Sequence, residues 1–519
     1  MGGPGTGGPR IGGPGMGRPG MGGPGMRGGR DLTEGPIAKT LIMFSLPVLF
    51  SNFLQSLSAA VNQFWVSHTL GVHAVAALGN ANLIMMLMLG AIFGVSMSAN
   101  ILVAQAVGSG NLGLVKRVMG TSMTFFFALS SLMSVLGLVF TPAILAAMGT
   151  PMDARADAII YLRIIFISMP FQYFFAFLQM AQRGAGDSRT PLYFQVLAIA
   201  ISIVLNPLLI RGDGPFPQMG IAGSAVSGMI GQGVALACLV IYLFRTQSIL
   251  LLRPSELGLL RPDVTILQSL LFRGVPMGLQ MFIMSGTAMV MVFFVNEFGT
   301  TTTAAYFAAS LVWTYLQMPV MAVGAALSSM AAQNVGAGKW DRVEKIAGTG
   351  IIAGLAITST IAAAIYLLEP YVLQVFLPVG SPAIPIAQHI NLIVLWSFIL
   401  FSVTFPLTGV VRATGSVWIP LFILVISMVV VRVPFAMFLQ PIIGQDAVWW
   451  SFPLGTIVSA VLTALYYRFG SWRSNSMLSG LGGHAGGQAG DTGQAVPAMD
   501  PAEAETALVD EGRAGAVRR

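Results

Sequence analysis

The stretch AQAVGSGNLGLVKRV, residues 104–118, returns later in the chain as AQNVGAGKWDRVEKI, residues 332–346. The two segments share the pattern A-Q-x-V-G-x-G and lie 228 positions apart. A second pair, RGAGDSRTP at 183–191 and RATGSVWIP at 412–420, keeps Arg, Gly and Pro at a shift of 229. Two separate motifs that repeat at nearly the same distance indicate that the chain consists of two homologous halves.

The first copy also contains GSGNLG, residues 108–113, which matches the G-x-G-x-x-G fingerprint of a dinucleotide-binding turn. That fingerprint requires a preceding strand, a following helix and an acidic residue about 20 positions further on. Here a long apolar run precedes it, and the third glycine, Gly113, corresponds to Asp341 in the second copy. We therefore predict that Gly108 and Gly110 end a helix, and that the motif binds no nucleotide.

The composition is that of a membrane protein. Hydrophobic residues make up 55% of the chain and charged residues 9%, and the mean hydropathy is +0.80. A soluble domain carries roughly 25% charged residues. The long charge-free runs exceed the ~20 apolar residues that cross a bilayer as a helix. Twelve spans are predicted, at 41–67, 77–104, 119–146, 158–182, 190–210, 219–244, 268–296, 304–332, 346–368, 386–411, 416–440 and 447–468.

The positive charges indicate the orientation of these spans. Most of the 26 Lys and Arg residues lie in the two tails and in the even-numbered connections. By the positive-inside rule, both termini are then cytoplasmic. The net charge of +7 is explained by this topology and does not require a nucleic-acid partner. Six spans per repeat keep both halves in the same orientation, with a cavity expected between them.

The predicted fold class is an all-α polytopic membrane protein with twelve transmembrane helices in two parallel six-helix lobes. The Gly/Pro-rich start and the Gly/Ala/acid-rich end are typical of disordered tails. The predicted organisation is a cytoplasmic tail at 1–36, a first lobe at 37–245, a cytoplasmic linker at 246–267, a second lobe at 268–470 and a cytoplasmic tail at 471–519.

Three motifs resemble one transporter family. The A-Q-x-V-G-x-G run, QRGAGDSRTP at 182–191 and FWVSHTLGVHAVAALG at 64–79 are similar to segments of the multidrug and toxic compound extrusion (MATE) transporters. The resemblance covers about residues 37–469, and it extends to the order of the motifs and the number of spans. The motif residues to which it assigns a structural role are Gly108, Gly110, Arg183, Gly186, Gly336, Gly338, Arg412 and Gly415.

The resemblance implies a twelve-helix export antiporter and not an enzyme. Such a protein moves amphipathic, often cationic, compounds outward in exchange for Na⁺ or H⁺. It implies a small-molecule substrate, a lipid bilayer around the protein, no nucleic acid and no cofactor other than the coupling ion. We expect a monomer in the bacterial inner membrane.

The carboxylates that the family often uses for coupling have neutral counterparts here. An acidic position late in helix 1 corresponds to Asn62, and a pair in helix 5 corresponds to Ser202 and Asn206. A helix 7 Glu and a helix 10 Asp of some members align near Met284 and near 401–402. Because all 19 Asp and Glu residues are expected in loops, tails or helix ends, coupling by the usual route is in doubt.

Two polar faces remain as candidates for a substrate or ion site. Gln55 and Asn62 share a face of the first span, and Gln195, Ser202 and Asn206 share a face of the fifth. These faces are expected to meet each other or a wet cavity, either as packing contacts or as a binding site. Asparagine can offer a carbonyl oxygen to Na⁺ but cannot carry a proton. Na⁺ at Asn62 and Asn206 is therefore favoured over H⁺, and no other metal site is predicted.

Arg432 and two prolines complete the candidate set. Arg432 is the one charge placed well inside a predicted span. It snorkels to the outer surface, has a structural partner, or offers positive charge to an anionic ligand. Pro47 and Pro276 occupy matching places in the first and seventh spans. Each is predicted to bend its helix, as a fixed shape or as a hinge.

Two other functions compete with drug efflux. A lipid-linked oligosaccharide flippase of the same superfamily would more often have fourteen spans and a cationic cavity. A membrane enzyme that binds a nucleotide at GSGNLG would need buried acid, His or Cys constellations, which the sequence does not offer. A transporter of the same fold with altered or absent cation coupling remains a third alternative.

Overall fold

The computed structural model describes residues 31–148, 150 and 152–478, and within this part the secondary structure is helical. Of the predicted disordered tails at 1–36 and 471–519, residues 1–30 and 479–519 lie outside the described residues. The parts nearest the helices are described: Leu32 is buried, and Ser471–Ser474 form a short 3₁₀ helix. The first half of the chain forms α1 Ile37–Leu70, α2 Val72–Gly108, α3 Leu112–Ala147, α4 Met152–Gly184, α5 Arg189–Arg211 and α6 Ile221–Arg245. The second half forms α7 Val264–Asn296, α8 Thr300–Gly336, α9 Trp340–Gln374, α10 Ala383–Val394, α11 Phe398–Ala413, α12 Trp418–Val425, α13 Val433–Ile443 and α14 Asp446–Phe469.

The all-helical membrane fold expected from composition is confirmed. Among the described residues, eleven helical spans are long and apolar enough to cross a membrane. Two of these spans are each made of two consecutive helices: one of α10 and α11, the other of α12 and α13. The predicted span at 77–104 falls in α2, whose apolar parts are two shorter stretches, 77–86 and 92–108. The count of twelve is thus close to the structure but stays a prediction.

The repeated motif ends its two helices in the same way. After α2, the Gly110 N–H donates to the Val107 carbonyl and the Asn111 N–H donates to the Ala106 carbonyl. This is a Schellman turn, and Gly110 has the positive φ of 73° that it requires. At the end of α8, Gly338 occupies the same place with a φ of 70°. The prediction that GSGNLG ends a helix is therefore confirmed.

The span from Trp418 to Ile443 contains a π-helical segment, Ile426–Arg432, that joins α12 to α13. Pro434 follows this segment and has no N–H for the carbonyl four residues earlier. The wider π turn is one way for a helix to accommodate that loss. Gly455 of α14 packs there, since a Cβ on Gly455 would lie 3.1 Å from the Ser427 carbonyl oxygen. The segment therefore lies against α14 at close range.

The linker between the two halves is held by the first turns of α3. Lys116 forms an ion pair of 2.9 Å with Glu256 in the 3₁₀ helix Pro254–Leu260. Arg117 pairs with Asp263, whose carboxylate also caps α7 by accepting from the Thr265 and Ile266 N–H groups. The two basic residues of the repeated motif thus bind the linker at 246–267, in addition to any role at the membrane surface.

The pKa of Asp263 is lower than that of an ordinary aspartate. Burial alone raises its pKa, but the Arg117 guanidinium and the two backbone N–H groups outweigh burial. A carboxyl with a lowered folded pKa adds stability above its unfolded pKa and loses it as the pH falls through the folded value. Asp263→Ala should lower the free energy of unfolding by about 1 kcal/mol at pH 7. In this variant, the free energy of unfolding should also decrease less than in the native protein as the pH falls below about 5.

Thermal unfolding in mild detergent over this pH range measures both effects. The control is Asp341→Ala, which removes a carboxylate from the first turn of α9 without removing a helix cap. An equal effect of the two substitutions would show that the capping carboxylate has no special part in stability.

Candidate functional site

A buried polar cluster lies between four helices of the first half. Asn206 Nδ2 of α5 donates to Asn62 Oδ1 of α1 at 2.8 Å. Ser224 Oγ of α6 donates to the same oxygen at 2.6 Å. The Tyr161 hydroxyl of α4 lies within hydrogen-bonding reach of Asn62 and Ser224. Asn62, Tyr161, Asn206 and Ser224 are called the asparagine cluster below.

One oxygen of the asparagine cluster has no partner. Asn206 is 2% exposed, and its Oδ1 atom forms no hydrogen bond in the structure. A buried polar atom without a partner is costly and is often retained for binding. Asn62 Oδ1, Asn206 Oδ1 and the two hydroxyl oxygens are neutral oxygen ligands, which suit a hard cation. None of the four side chains can deliver a proton near neutral pH.

Sequence reasoning found two members of this cluster and missed two. The helical spacing placed Asn62 and Asn206 on polar faces, and the structure brings these faces together. Tyr161 and Ser224 were missed because each is a single polar group on an otherwise apolar or small-residue face. Their contact with Asn62 depends on how α4 and α6 pack against α1, which the sequence pattern does not show.

The other predicted polar residues lie elsewhere. Gln55 is exposed on α1 and is not part of the cluster. Gln195 is buried but accepts from Gln179 Nε2 at 2.8 Å, eleven residues away from Asn206 along α5. Ser202 lies against Gly231 of α6, where a Cβ on Gly231 would be 3.4 Å from the Ser202 nitrogen. The predicted stripe therefore divides into a Gln179–Gln195 pair and the asparagine cluster.

One carboxylate lies further inside the protein than the sequence suggested. The predicted ninth span ended at residue 368, but α9 continues to Gln374 and contains Glu369. This side chain is half-buried beside Asn391 of α10. Its Oε1 atom is buried without a hydrogen-bond partner. Glu369 is thus a half-buried protonatable group at the end of the candidate span Trp340–Glu369.

Arg432 is buried in the second half, and the snorkelling interpretation is wrong. Its side chain is 7% exposed. Eleven more residues of α13 separate it from the end of that helix at Ile443, or about 16 Å at 1.5 Å per residue. Its Cζ atom lies 3.4 Å from the centroid of the Phe452 ring. The guanidinium therefore packs on an aromatic face inside the second half.

The two copies of the repeated motif contact each other. A Cβ on Gly108 would overlap the Gln333 carbonyl oxygen, and a Cβ on Gly336 would overlap the Gln105 carbonyl oxygen. The ends of α2 and α8 therefore touch backbone to backbone. Gly94 of α2 meets Gly274 of α7 equally closely. These contacts between the halves are called the glycine gate below.

The glutamines of the two copies form equivalent hydrogen bonds at the glycine gate. Gln105 Nε2 donates to the Ala413 carbonyl at the end of α11 at 2.6 Å. Gln333 Nε2 donates to the Gly184 carbonyl at the end of α4 at 2.9 Å. Gly184 and Ala413 are equivalent at the repeat shift of 229. Each glutamine thus ties its own half to the other half.

The remaining motif residues form the turns next to these contacts. Arg183 is buried at the end of α4, and Gly186 follows with a φ of 90°. Arg412 occupies the equivalent place in α11, where its Nε donates to the Thr408 carbonyl at 3.4 Å. Gly415 follows with a φ of 93°. These residues lie at the helix ends, and the structural role expected for them stays a prediction.

Pro47 and Pro276 lie inside the continuous helices α1 and α7. Pro47→Ala restores a backbone N–H and should stiffen α1. If α1 bends during transport, the initial rate of efflux should fall about fivefold, which corresponds to roughly 1 kcal/mol. The amount of inserted protein should not change. Pro441→Ala, at an exposed site near the end of α13, is the control. An unchanged rate in Pro47→Ala would rule out a hinge at Pro47.

Within the described residues, no group of three or more His, Cys, Asp or Glu side chains could hold a metal ion. Na⁺ at Asn62 and Asn206 stays a prediction.

Comparisons with known proteins agree with this architecture. A sequence model of the MatE family matches residues 47–208 and again residues 276–438. A probable multidrug resistance protein of Bacillus subtilis, YoeA, is 34% identical over 433 residues, which are 83% of this chain and 93% of that protein. The probable multidrug resistance protein NorM of Thermotoga maritima is 25% identical, over 85% of this chain and 95% of that protein.

A solved structure has the same fold. A mutant of the MATE transporter VcmN of Vibrio cholerae superimposes with a TM-score of 0.78 at 19% identity. The superposition covers 85% of this chain and 98% of that chain. The two matched segments of the family begin at Pro47 and Pro276, the proline pair at the repeat shift of 229.

Proposed function

The chain belongs to the MatE family of transporters, and from this premise we propose that it is a secondary active antiporter. It exports amphipathic small molecules from the cytoplasm in exchange for an inward-moving cation. It resides in a bacterial inner membrane with both termini in the cytoplasm. Two six-helix lobes, 37–245 and 268–470, alternate between the two sides, and a monomer is sufficient. The preference for cationic substrates rests on the family alone.

The glycine gate is the observation that supports alternating access. The contacts of Gly108 and Gly336 join the halves at the ends of α2 and α8, and the basic residues Lys116, Arg117, Lys339 and Arg342 follow these ends. By the positive-inside rule that end faces the cytoplasm. A substrate can then enter from the cytoplasm only when Gly108 and Gln333 separate. The structure corresponds to a state closed at this end.

The asparagine cluster is the proposed site of the coupling ion. Asn62 Oδ1 and Asn206 Oδ1 would hold Na⁺ together with the Tyr161 and Ser224 hydroxyls. Because these groups cannot carry a proton, H⁺ coupling would need a carboxylate such as Glu369. Na⁺ coupling and H⁺ coupling therefore predict different transport activities for the same variants.

Dye transport into inside-out vesicles, with either Na⁺ or H⁺ concentrated inside, tests the proposal. We expect the Na⁺ gradient to drive uptake of a fluorescent amphipathic dye and Asn206→Leu to abolish this drive. Glu369→Gln should leave the Na⁺-driven uptake intact. If only the H⁺ gradient drives uptake and Glu369→Gln removes it, the asparagine cluster is not the coupling site. If neither gradient drives uptake of any dye, the antiporter itself is refuted.

A further inference from the structure

We propose that Arg432 binds an acidic group of the transported compound. The substrates would then be amphiphiles that carry a carboxylate, sulfonate or phosphate group, alone or beside a cationic group. This inference rests on the proposed transport function and narrows its substrate class. It differs from the cationic preference that the family implies.

Arg432 lacks the counter-charge that a buried arginine normally has. Among the described residues, no Asp or Glu oxygen lies within ion-pair distance of it. Its Nε atom is buried and has no hydrogen-bond partner. An unpaired charge inside a span is costly, and such charges mark ligand or ion pathways. The missing negative charge can be supplied by a ligand.

The groups around Arg432 leave its charge unneutralised. The guanidinium lies on the Phe452 ring of α14, and its Nη1 atom approaches Met428 Sδ at 3.6 Å. The Tyr306 ring of α8 packs against the same Phe452 ring. A cation–π contact orients the guanidinium and tolerates its charge without cancelling it. The remaining planar donors match the two oxygens of a carboxylate or phosphate.

The backbone around Arg432 is specialised as well. Arg432 is the last residue of the π-helical segment, and π segments inside α-helices occur frequently at functional sites. Gly455 lets α14 approach this segment, because a Cβ there would be 3.1 Å from the Ser427 carbonyl oxygen. The partly exposed Phe452 ring, on which the guanidinium lies, packs in turn against the buried Tyr306 ring. A partly exposed aromatic ring can contact the apolar body of an amphiphile whose acidic group meets Arg432.

Two dyes that differ in a single group test the charge preference. Rhodamine 110 carries a free carboxylate, and rhodamine 123 is its methyl ester. Binding of each dye to the purified protein in lipid nanodiscs is measured by fluorescence anisotropy. We expect tighter binding of rhodamine 110, and we expect Arg432→Gln to weaken it about tenfold. The same substitution should strengthen rhodamine 123 binding, and Arg432→Lys should keep the original order.

Arg163→Gln is the matched control, since it removes a positive charge from an exposed position on α4. Equal affinities of the native protein for both dyes would overturn the proposal. An equal loss for both dyes in Arg432→Gln, with normal thermal stability, would also overturn it. Failure of the antiporter proposal gives a different result. Rhodamine 110 would still bind more tightly than rhodamine 123, but neither the Na⁺ nor the H⁺ gradient would drive transport of either dye.

A second inference rests on the two terminal segments. We infer that residues 31–35 and residues 475–478 are reciprocal clasps that hold the glycine gate closed. The first precedes α1 and is called the N-terminal clasp. The second follows α14 and is called the C-terminal clasp. Each clasp belongs to one half of the chain and binds the other half.

The N-terminal clasp is held by α8. Leu32 is fully buried, and its N–H donates to Gln333 Oε1 at 3.1 Å. Its carbonyl accepts from Asn334 Nδ2 at 3.1 Å. Further along, Lys339 Nζ donates to the Thr33 carbonyl at 3.1 Å. Both backbone groups of Leu32 thus bind consecutive side chains of the second half.

The C-terminal clasp is held by α2 in the same manner. Met477 is 1% exposed, and its N–H donates to Gln105 Oε1 at 2.9 Å. Ser476 Oγ donates to the same oxygen at 3.2 Å. The Met477 side chain packs on Gly415, where a Cβ would lie 2.8 Å from Met477 Cγ. Gln105 and Gln333 are equivalent in the repeat, so the two clasps bind equivalent side chains.

The two clasps make opening of the gate more costly. When α2 and α8 separate, each clasp must either leave its glutamine or be pulled away from the helix to which it is joined. Leaving exposes Leu32 and Met477 and breaks their backbone hydrogen bonds. The closed state is therefore favoured by contacts that the helices alone do not make. Weakening a clasp shifts the population toward the state open to the cytoplasm.

Spin-label distances measure this shift. Labels at Arg189→Cys and Lys345→Cys, two exposed sites in different halves, are attached in a Cys238→Ser background. Leu32→Asp and Met477→Asp place a carboxylate in a buried site and should raise the open-to-closed ratio about tenfold or more. The matched controls are Ala38→Asp and Ser474→Asp, at exposed neighbouring positions.

The milder double variant Leu32→Ala/Met477→Ala should shift the ratio in the same direction by less. Unchanged distances in this double variant and in both Asp variants would refute the clasps. A shift produced equally by the exposed controls would assign the effect to added charge, which also refutes them.

Discussion

Gly108→Val is expected to reduce efflux about tenfold or more while leaving the protein inserted in the membrane. A Cβ at Gly108 would overlap the Gln333 carbonyl oxygen and lie 2.8 Å from Gln333 Cα. These are backbone atoms, so no side chain can rotate to make room. Overpacking costs typically about 1–3 kcal/mol, and each ~1.4 kcal/mol of lost closure lowers the closed population about tenfold. Gly336→Val should have the same effect, because its Cβ would overlap the Gln105 carbonyl oxygen.

The control for this prediction lies in the same motif. Gly113→Ala places a Cβ 3.6 Å from its nearest neighbour, Asn111 Oδ1, which is an ordinary contact. We expect near-normal efflux from Gly113→Ala. Dye efflux from cells that express equal amounts of each variant is the measurement. Normal efflux from Gly108→Val, or equal loss from Gly113→Ala, would contradict closure at the glycine gate.

Asn62→Leu is expected to abolish ion-driven efflux. Asn62 Oδ1 accepts from both Asn206 Nδ2 and Ser224 Oγ, so its removal leaves two buried donors unpaired. Each unpaired donor costs about 1–3 kcal/mol. The neighbouring exposed residue supplies the control, since Gln63→Leu removes an amide that lies outside the cluster.

Asn62→Asp separates loss of structure from loss of coupling. It keeps the acceptor oxygens and adds the carboxylate that the family often has at this place. We expect it to retain efflux and to make efflux depend on the H⁺ gradient. Initial rates in inside-out vesicles with imposed Na⁺ or H⁺ gradients measure both variants. If Asn62→Leu transports with the same ion dependence as the native protein, the asparagine cluster has no part in coupling.

The sequence predicted what depends on periodicity and repetition. The shift of 228 positions paired Gly108 with Gly336, and helical spacing placed Asn62 and Asn206 on polar faces. Both features are encoded by regular spacing, which a helix translates directly into position. The all-helical fold followed from the length of the charge-free runs. Contact between the two motif copies across the halves was not predicted, because spacing within a helix says nothing of its partner.

The features that the sequence did not predict depend on side-chain burial and on segments without regular secondary structure. The buried Arg432 is the last residue of a π-helical segment, and no periodic pattern encodes that segment. Glu369 was placed outside its span because a change in hydropathy does not coincide with the end of a helix. Leu32 and Met477 lie in segments without regular structure, where a sequence gives no indication of what they contact.

The two copies of the repeated motif contact each other at the glycine gate, and this affects how the chain can evolve after duplication. Gly108 meets Gln333 and Gly336 meets Gln105, so a change in either copy of the motif is felt by the other. Asn62 and Asn206 have no such tie, and their repeat counterparts are Met291 and Phe435. The two motif copies of the glycine gate must therefore change together during evolution. The residues inside each half can change independently of those in the other half.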